Sequence, residues 1–115
     1  MSRVLFDETI IDAQSALDTV GLVASAGIRY EAAKYSETAF YIAFGAGTSA
    51  GAVVIETAAT PDYTGTWANL STITWSAASK THHVAITGVF RALRARISTA
   101  IVGGTVTVVS IGIHQ

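Results

Sequence analysis

The chain has 115 residues, no cysteine, 13% charged against 50% hydrophobic residues, and a formal net charge of −1. This balance offers no basic field that would attract nucleic acid or an anionic membrane surface, and the lack of cysteine excludes disulfide scaffolds and thiolate catalysis. Val, Ile and Thr together number 37, and these β-branched side chains suit a pleated sheet better than a helix. The composition therefore favours one all-β domain.

The charges are distributed unevenly along the chain. Residues 1–37 carry six acidic and three basic side chains, whereas residues 38–115 carry two acidic and four basic ones. The N-terminus turns acidic after three apolar residues, so no secretory signal is expected there. An acidic segment is thus attached to a poorly charged body rich in Ser and Thr.

The N-terminal segment has more than one interpretation. The sequence predicts an extended arm or edge segment at residues 1–17 and a single sandwich domain at residues 18–115. Residues 4–11 suit a strand or a docked arm, while residues 9–17 could instead make one helical turn. As an arm, the segment would contact a neighbouring protein through Arg3, Leu5, Phe6, Asp7 and Glu8.

Alternation of apolar and polar residues predicts further strands. A short strand is expected at residues 19–24, and a stronger pattern follows at Phe40, Ile42 and Phe44. The Gly-rich residues 45–51 predict a mobile hairpin tip. Later strands are expected around Val53 and Ile55, at residues 68–76, around Val84 and Ile86, and at residues 90–98 and 105–113.

The last strand shows a change of phase. Its apolar residues fall first at Val106 and Val108 and then at Val109, Ile111 and Ile113, which predicts a β-bulge that resets the buried side. Seven or eight short strands with regularly spaced turn signals are typical of an antiparallel sandwich. The predicted fold is therefore an all-β, jelly-roll-like β-sandwich with an extended N-terminal segment.

Residues that could support catalysis or metal binding form no pattern. His82 and His83 are adjacent and would point to opposite faces of a strand, and His114 stands near the chain end, so we expect no metal site. No nucleophile elbow surrounds any serine, and few carboxylates occur outside the N-terminal third. We expect no catalytic residue, no cofactor and no enzymatic activity.

Two groups of residues, one charged and one aromatic, are candidates for a structural or binding role. Arg94 and Arg96 share one face of a predicted strand, and Glu56 occupies the outer face of another, which predicts a cross-strand or inter-subunit ion pair. Tyr63, Trp67 and Trp75 could form a stacking platform for a glycan, and Tyr63 and Trp67 are the leading candidates. The alternative to a role in glycan stacking is that Trp75 packs in the core or in an interface.

The C-terminal half resembles small β-sandwich proteins of tailed-phage virions. The resemblance lies in the run GAVVIE at residues 51–56, the following Pro-Asp turn with Trp67, the run GVFRALRARI at residues 88–97, and the closing run TVTVVSIG at residues 105–112. It implies a non-enzymatic capsid cement or decoration protein that stabilises a phage head.

Under this resemblance the protein belongs to the virion and is assembled in the host cytoplasm. Its partners would be the major capsid protein or another virion protein and further copies of itself, with a trimer as the first expectation. The alternative is a tail- or head-fibre module that binds host glycans through Tyr63 and Trp67. No nucleic-acid or membrane partner is expected.

Overall fold

The computed structural model describes residues 3–23, 37–77, 80–88 and 90–114. These residues form strands and connections without a helix, which confirms the predicted all-β class. The strands are β1 (Arg3–Gln14), β2 (Val20–Leu22), β3 (Glu37–Phe44), β4 (Ala50–Ala58), β5 (Ala68–Thr74), β6 (Thr81–Thr87), β7 (Ala92–Val102) and β8 (Val106–His114).

The strands form two antiparallel four-stranded sheets. Sheet A has the order β1-β8-β3-β6, and sheet B has the order β2-β7-β4-β5. Most consecutive strands therefore lie in different sheets, and the chain crosses repeatedly between the two layers. This order is that of a jelly roll, in which two Greek keys close into a sandwich.

The core lies between the sheets and is built by the predicted alternation. Phe40, Ile42 and Phe44 of β3 are buried, as are Val53 and Ile55 of β4. The intervening residues point outward, because successive side chains of a strand alternate between faces. The buried partners of these residues on the other strands are Ile11, Ile73, Leu93, Ala95, Ile97, Val106 and Val108.

The predicted hairpin at residues 45–51 is wrong, because β3 and β4 belong to different sheets. The connection crosses between the layers and packs on the turn that joins β7 to β8. Gly47 and Gly103 meet backbone to backbone: a Cβ on Gly103 would overlap the Gly47 carbonyl oxygen, and both glycines have positive φ (87° and 82°). Side chains are excluded at both positions by space and by conformation.

The predicted bulge in the last strand is also wrong. β8 pairs with β3 without a register shift from Val106 to Ile113, so its alternation continues unbroken. Ser110 and Gly112 occupy the inner positions and are buried, while Val109 and Ile111 lie half-buried on the outer face. The apparent change of phase arises because Val109 and Ile111 are apolar residues on the outer face of sheet A, not because the strand is bulged.

The N-terminal segment runs as a strand along the edge of sheet A. β1 pairs with β8 through three register shifts, and the extra residues lie in β1. Ile11 reaches the core and is only 2% exposed. The helical turn considered for residues 9–17 is absent, since β1 continues to Gln14 and a tight turn follows in which Thr19 N donates to Ala16 O.

Candidate functional site

The outer face of sheet B carries a compact cluster of charges. β4 and β7 are neighbours, and their register places Glu56 opposite Arg94 and Val54 opposite Arg96. Because Ile55 and Ala95 face the core, the residues on either side of them face outward. Strand alternation alone therefore brings one carboxylate and two guanidinium groups to the same surface.

Glu56 accepts hydrogen bonds from both arginines. Arg94 Nε donates to Glu56 Oε1 at 2.9 Å, and Arg96 donates through Nε to Oε1 at 3.2 Å and through Nη2 to Oε2 at 3.1 Å. The glutamate is only 4% exposed, so its charge is compensated by ions rather than by water. Planar, two-pronged contacts of this kind suit arginine and would not form with lysine.

Asp18 completes the cluster from the turn before β2. Arg96 Nη1 donates to Asp18 Oδ1 at 2.9 Å, and the Asp18 side chain remains 69% exposed. Its left-handed backbone (φ 65°) is one that Asp tolerates better than most residues, and Asp18 N donates to Ile97 O of β7 at 2.8 Å. The turn is thus anchored where it presents a second carboxylate to Arg96.

Arg96 remains a cation under all ordinary conditions. Its hydrogen bonds to Glu56 raise the pKa of Arg96 above its usual value, and its hydrogen bond to Asp18 acts in the same direction against the lowering effect of partial burial. Two carboxylates and two guanidinium groups leave no net charge in the cluster. The arrangement can fix the relative positions of β2, β4 and β7, and it contains no uncompensated acid or base for proton transfer.

Trp67 packs over this cluster. The Arg94 guanidinium carbon lies 4.1 Å from the centre of the indole ring, a cation–π contact, and Trp67 Nε1 donates to Tyr63 O at 2.9 Å. Trp67 is 4% exposed, whereas Tyr63 is 47% exposed. The pair considered as a glycan platform therefore presents one exposed ring and one ring that is already covered.

An open groove of about 360 Å³ lies beside the cluster, lined by Asp18, Val20, Glu56, Gly65, Thr66, Trp67, Arg94 and Arg96. The structure brings together Glu56, Arg94 and Arg96 and places Asp18 and Trp67 beside them. The latter two come from connections, where no periodicity fixes the position of a side chain.

The histidines of β6 lie apart from this site. His82 packs edge-on against Phe44 with ring centres 5.7 Å apart, and the exposed His83 lies 4.8 Å from the ring of Tyr41 on the opposite face. Within the described ranges no three potential ligands gather around a common point. No helix in the described part of the chain is long and apolar enough to cross a membrane.

The residues considered for an N-terminal contact are carried by β1. The backbone of Arg3, Leu5 and Phe6 lies in this edge strand, Asp7 is exposed beside Ile111, and Glu8 is half-buried beside Ser110. They lie in sheet A, whereas Glu56, Arg94 and Arg96 of the ion cluster lie in sheet B. The structure therefore does not bring the two groups together into one site.

The outer face of sheet A differs from that of sheet B. On β3, β6 and β8 its described side chains carry no formal charge, and Tyr41 is the largest of them at 41% exposed. The other described residues on this face of the three strands are Ala39, Ala43, Thr81, His83, Ala85, Thr87, Thr107, Val109 and Ile111. The molecule thus presents one ion-paired face and one face whose described side chains are uncharged on β3, β6 and β8, with Asp7 of β1 at its edge.

Eight strands in this order define an eight-stranded jelly-roll β-sandwich. The chain is similar to the K3 cleaved adhesin domain of Lys-gingipain from Porphyromonas gingivalis W83, with a TM-score of 0.67 and 8% identity over 90% of this chain and 72% of that one. It is also similar to the SPBc2 prophage-derived protein YomS, with a TM-score of 0.56 and 13% identity over 98% of this chain and 95% of that one.

A third similar structure is the coat protein of tobacco streak virus, with a TM-score of 0.48 and 9% identity over 96% of this chain and 85% of that one. At these identities the likeness shows a shared fold alone. The chain matches no protein-family model and no curated protein.

Proposed function

We propose that the protein is a non-enzymatic structural component of a phage virion, a capsid cement or decoration protein that stabilises the head. The observation that carries this proposal is the outer face of β3, β6 and β8 in sheet A, on which no described side chain carries a formal charge. A surface of Ala, Thr, Val, Ile, Tyr and one His without a formal charge is well suited to a protein partner. The major capsid protein is the partner that this role requires.

Two further observations support this role. The likeness to the prophage-derived protein YomS extends over nearly the whole of both chains, and the sequence of the C-terminal half resembles phage virion proteins. Repeated docking on a symmetric shell lets a modest contact gain strength by multivalency. We also propose self-association, for which the trimer expected from the sequence stays a prediction.

The N-terminal residues are a further proposed contact. Arg3, Leu5, Phe6, Asp7 and Glu8 lie along an edge strand, where they can meet a neighbouring subunit. Removal of residues 2–15 is expected to weaken attachment, but it would also expose β8 and delete the buried Ile11. Point substitution of the exposed Asp7 is therefore the cleaner test of this contact.

The experiment that tests the role is performed on virions. Purified particles of the phage that encodes the chain are analysed by mass spectrometry and electron microscopy, with and without the gene. We expect the protein in regular positions on the head, and we expect particles that lack it to release DNA at lower temperature or milder osmotic shock. Particles that never contain the protein would overturn the proposal.

Tyr41 provides a prediction about the docking face. Tyr41→Glu places a charge among the uncharged side chains of β3, β6 and β8 and is expected to weaken binding to capsids that lack the protein by about tenfold or more. Tyr63→Glu is the matched control, because Tyr63 has a similar exposure of 47% against 41% but lies in the β4–β5 connection. Capsid binding is measured by co-sedimentation, and equal loss in both variants would contradict this choice of face.

The second candidate is an adhesion module. The likeness to the gingipain adhesin domain favours it, and the exposed Tyr63 beside Trp67 offers a ring on which a host glycan could stack. In this role the free protein binds glycans, and Tyr63→Ala abolishes binding while Tyr41→Ala does not. A glycan array with both variants separates this candidate from the cement role.

A further inference from the structure

The sandwich has four sheet edges, and three of them carry features that discourage pairing with another chain. β1 is interrupted by three register shifts and bears Asp7, Glu8 and Asp12. β2 has only three residues. β5 has an irregularity opposite Ile55 and Glu56. Bulges, charges and short length are the usual means by which proteins protect such edges.

The fourth edge, β6, carries none of these features. Its sequence THHVAIT contains no proline, glycine or formal charge. All seven residues pair with β3 without a register shift, from Glu37 opposite Thr87 to Ala43 opposite Thr81. A regular, uncharged edge strand of this length is a template for another strand.

Partly exposed core residues gather on the same side of the sandwich. Among the described residues, six hydrophobic ones pack against the core but stay partly exposed, and five of these lie on β5, on β6 or just after these strands. These five are Leu70, Trp75, Val84, Ile86 and Phe90. A partner that binds at this edge would therefore bury apolar side-chain surface in addition to pairing with backbone groups.

We propose that β6 pairs antiparallel with β6 of a second copy, which joins two copies of sheet A into one continuous sheet. The register follows from the β3–β6 ladder. Phe44 N donates to Lys80 O at 3.1 Å, and hydrogen-bonded positions alternate along an antiparallel pair. The backbone groups of Lys80, His82, Val84 and Ile86 therefore point toward β3, and those of Thr81, His83, Ala85 and Thr87 point outward.

In one register between the two β6 strands, the backbone groups of all four outward-pointing residues form hydrogen bonds with the second copy. When the two-fold axis passes through Val84, His83 lies opposite Ala85 of the second copy, and Thr81 lies opposite Thr87. This pairing forms about eight backbone hydrogen bonds and opposes no like charges. Lys80, just outside the strand, falls opposite Gly88 of the second copy. Such a contact is self-complementary, as a two-fold interface must be, and it yields a dimer in place of the trimer expected from the sequence.

Paired charge variants test this register. His83→Lys with Ala85→Lys places two lysines opposite two lysines in the dimer, and the corresponding double glutamate variant does the same with acids. We expect each variant alone to dimerise about tenfold or more weakly than the natural chain. An equimolar mixture brings Lys opposite Glu and restores the dimer. Sedimentation equilibrium of the full chain measures the mass across a concentration series.

The matched control is Thr72→Lys with Thr74→Lys, which puts the same two charges on the exposed residues of the edge strand β5. It is expected to leave dimerisation unchanged, and thermal unfolding of every variant confirms that each is folded. A natural chain that stays monomeric, a trimer unaffected by the β6 variants, or a mixture that fails to reassociate would overturn the proposal. The pairing concerns isolated protein, so its failure is distinct from the absence of the protein from virions.

Discussion

Glu56→Gln is expected to lower the free energy of unfolding by about 3 kcal/mol, because it leaves two guanidinium groups without their shared carboxylate. Glu56 is 4% exposed, and its two oxygens accept three hydrogen bonds from Arg94 and Arg96. The amide can accept through one oxygen only and cannot compensate the charges. The expected loss lies near the lower end of the range for breaking a buried ion pair, because the side chains of Arg94 and Arg96 are still 19% and 27% exposed.

Urea unfolding measures this loss, and Asp18→Asn is the matched control. The Asp18 side chain is 69% exposed and shares Arg96 with Glu56, so its neutralisation is expected to cost about 0.5 kcal/mol. A double-mutant cycle of Glu56→Gln with Arg94→Met is expected to show coupling above about 1 kcal/mol. Equal losses in the Glu56 and Asp18 variants, or no coupling in the cycle, would show that the cluster acts as an ordinary surface ion pair.

The sequence predicts part of this cluster because strand alternation is a local rule. The position of Glu56 one residue beyond the core residue Ile55, and of Arg94 one residue before Ala95, fixes the face on which each lies. Asp18 and Trp67 could not be placed in this way. Each belongs to a connection, and its position depends on the strand order that brings β2 beside β7 and carries the β4–β5 connection over the outer face.

The errors in the sequence analysis also have a physical cause. A change of apolar phase in β8 predicts a bulge only if one face of the strand meets water, whereas Val109 and Ile111 lie on an outer face that is itself apolar. The Gly-rich residues 45–51 satisfy the local rules for a hairpin, but the same rules hold where a chain crosses between sheets. Both cases depend on long-range pairing, which local patterns do not contain.

Gly21→Ala is expected to have an effect of similar size for a different reason. Gly21 lies in β2 where the edge of sheet B meets β1 of sheet A. A Cβ at this position would overlap the Ile10 carbonyl oxygen and lie 2.6 Å from its carbon and 2.8 Å from Ile11 Cγ1. Since the obstacle is backbone, no side-chain rotation relieves it, and β1 or β2 must move. We expect a loss of about 3 kcal/mol in the free energy of unfolding.

Gly45→Ala is the control for this substitution. A Cβ on Gly45 would lie 3.3 Å from Thr105 O, which a small shift accommodates, so its cost is expected to stay below about 1 kcal/mol. The comparison also tests how the N-terminal segment is attached. If β1 were a detachable arm, Gly21→Ala would release it and leave residues 18–115 as stable as before. If β1 is an integral strand that covers Ile11 and β8, the same substitution destabilises the whole sandwich in one cooperative transition.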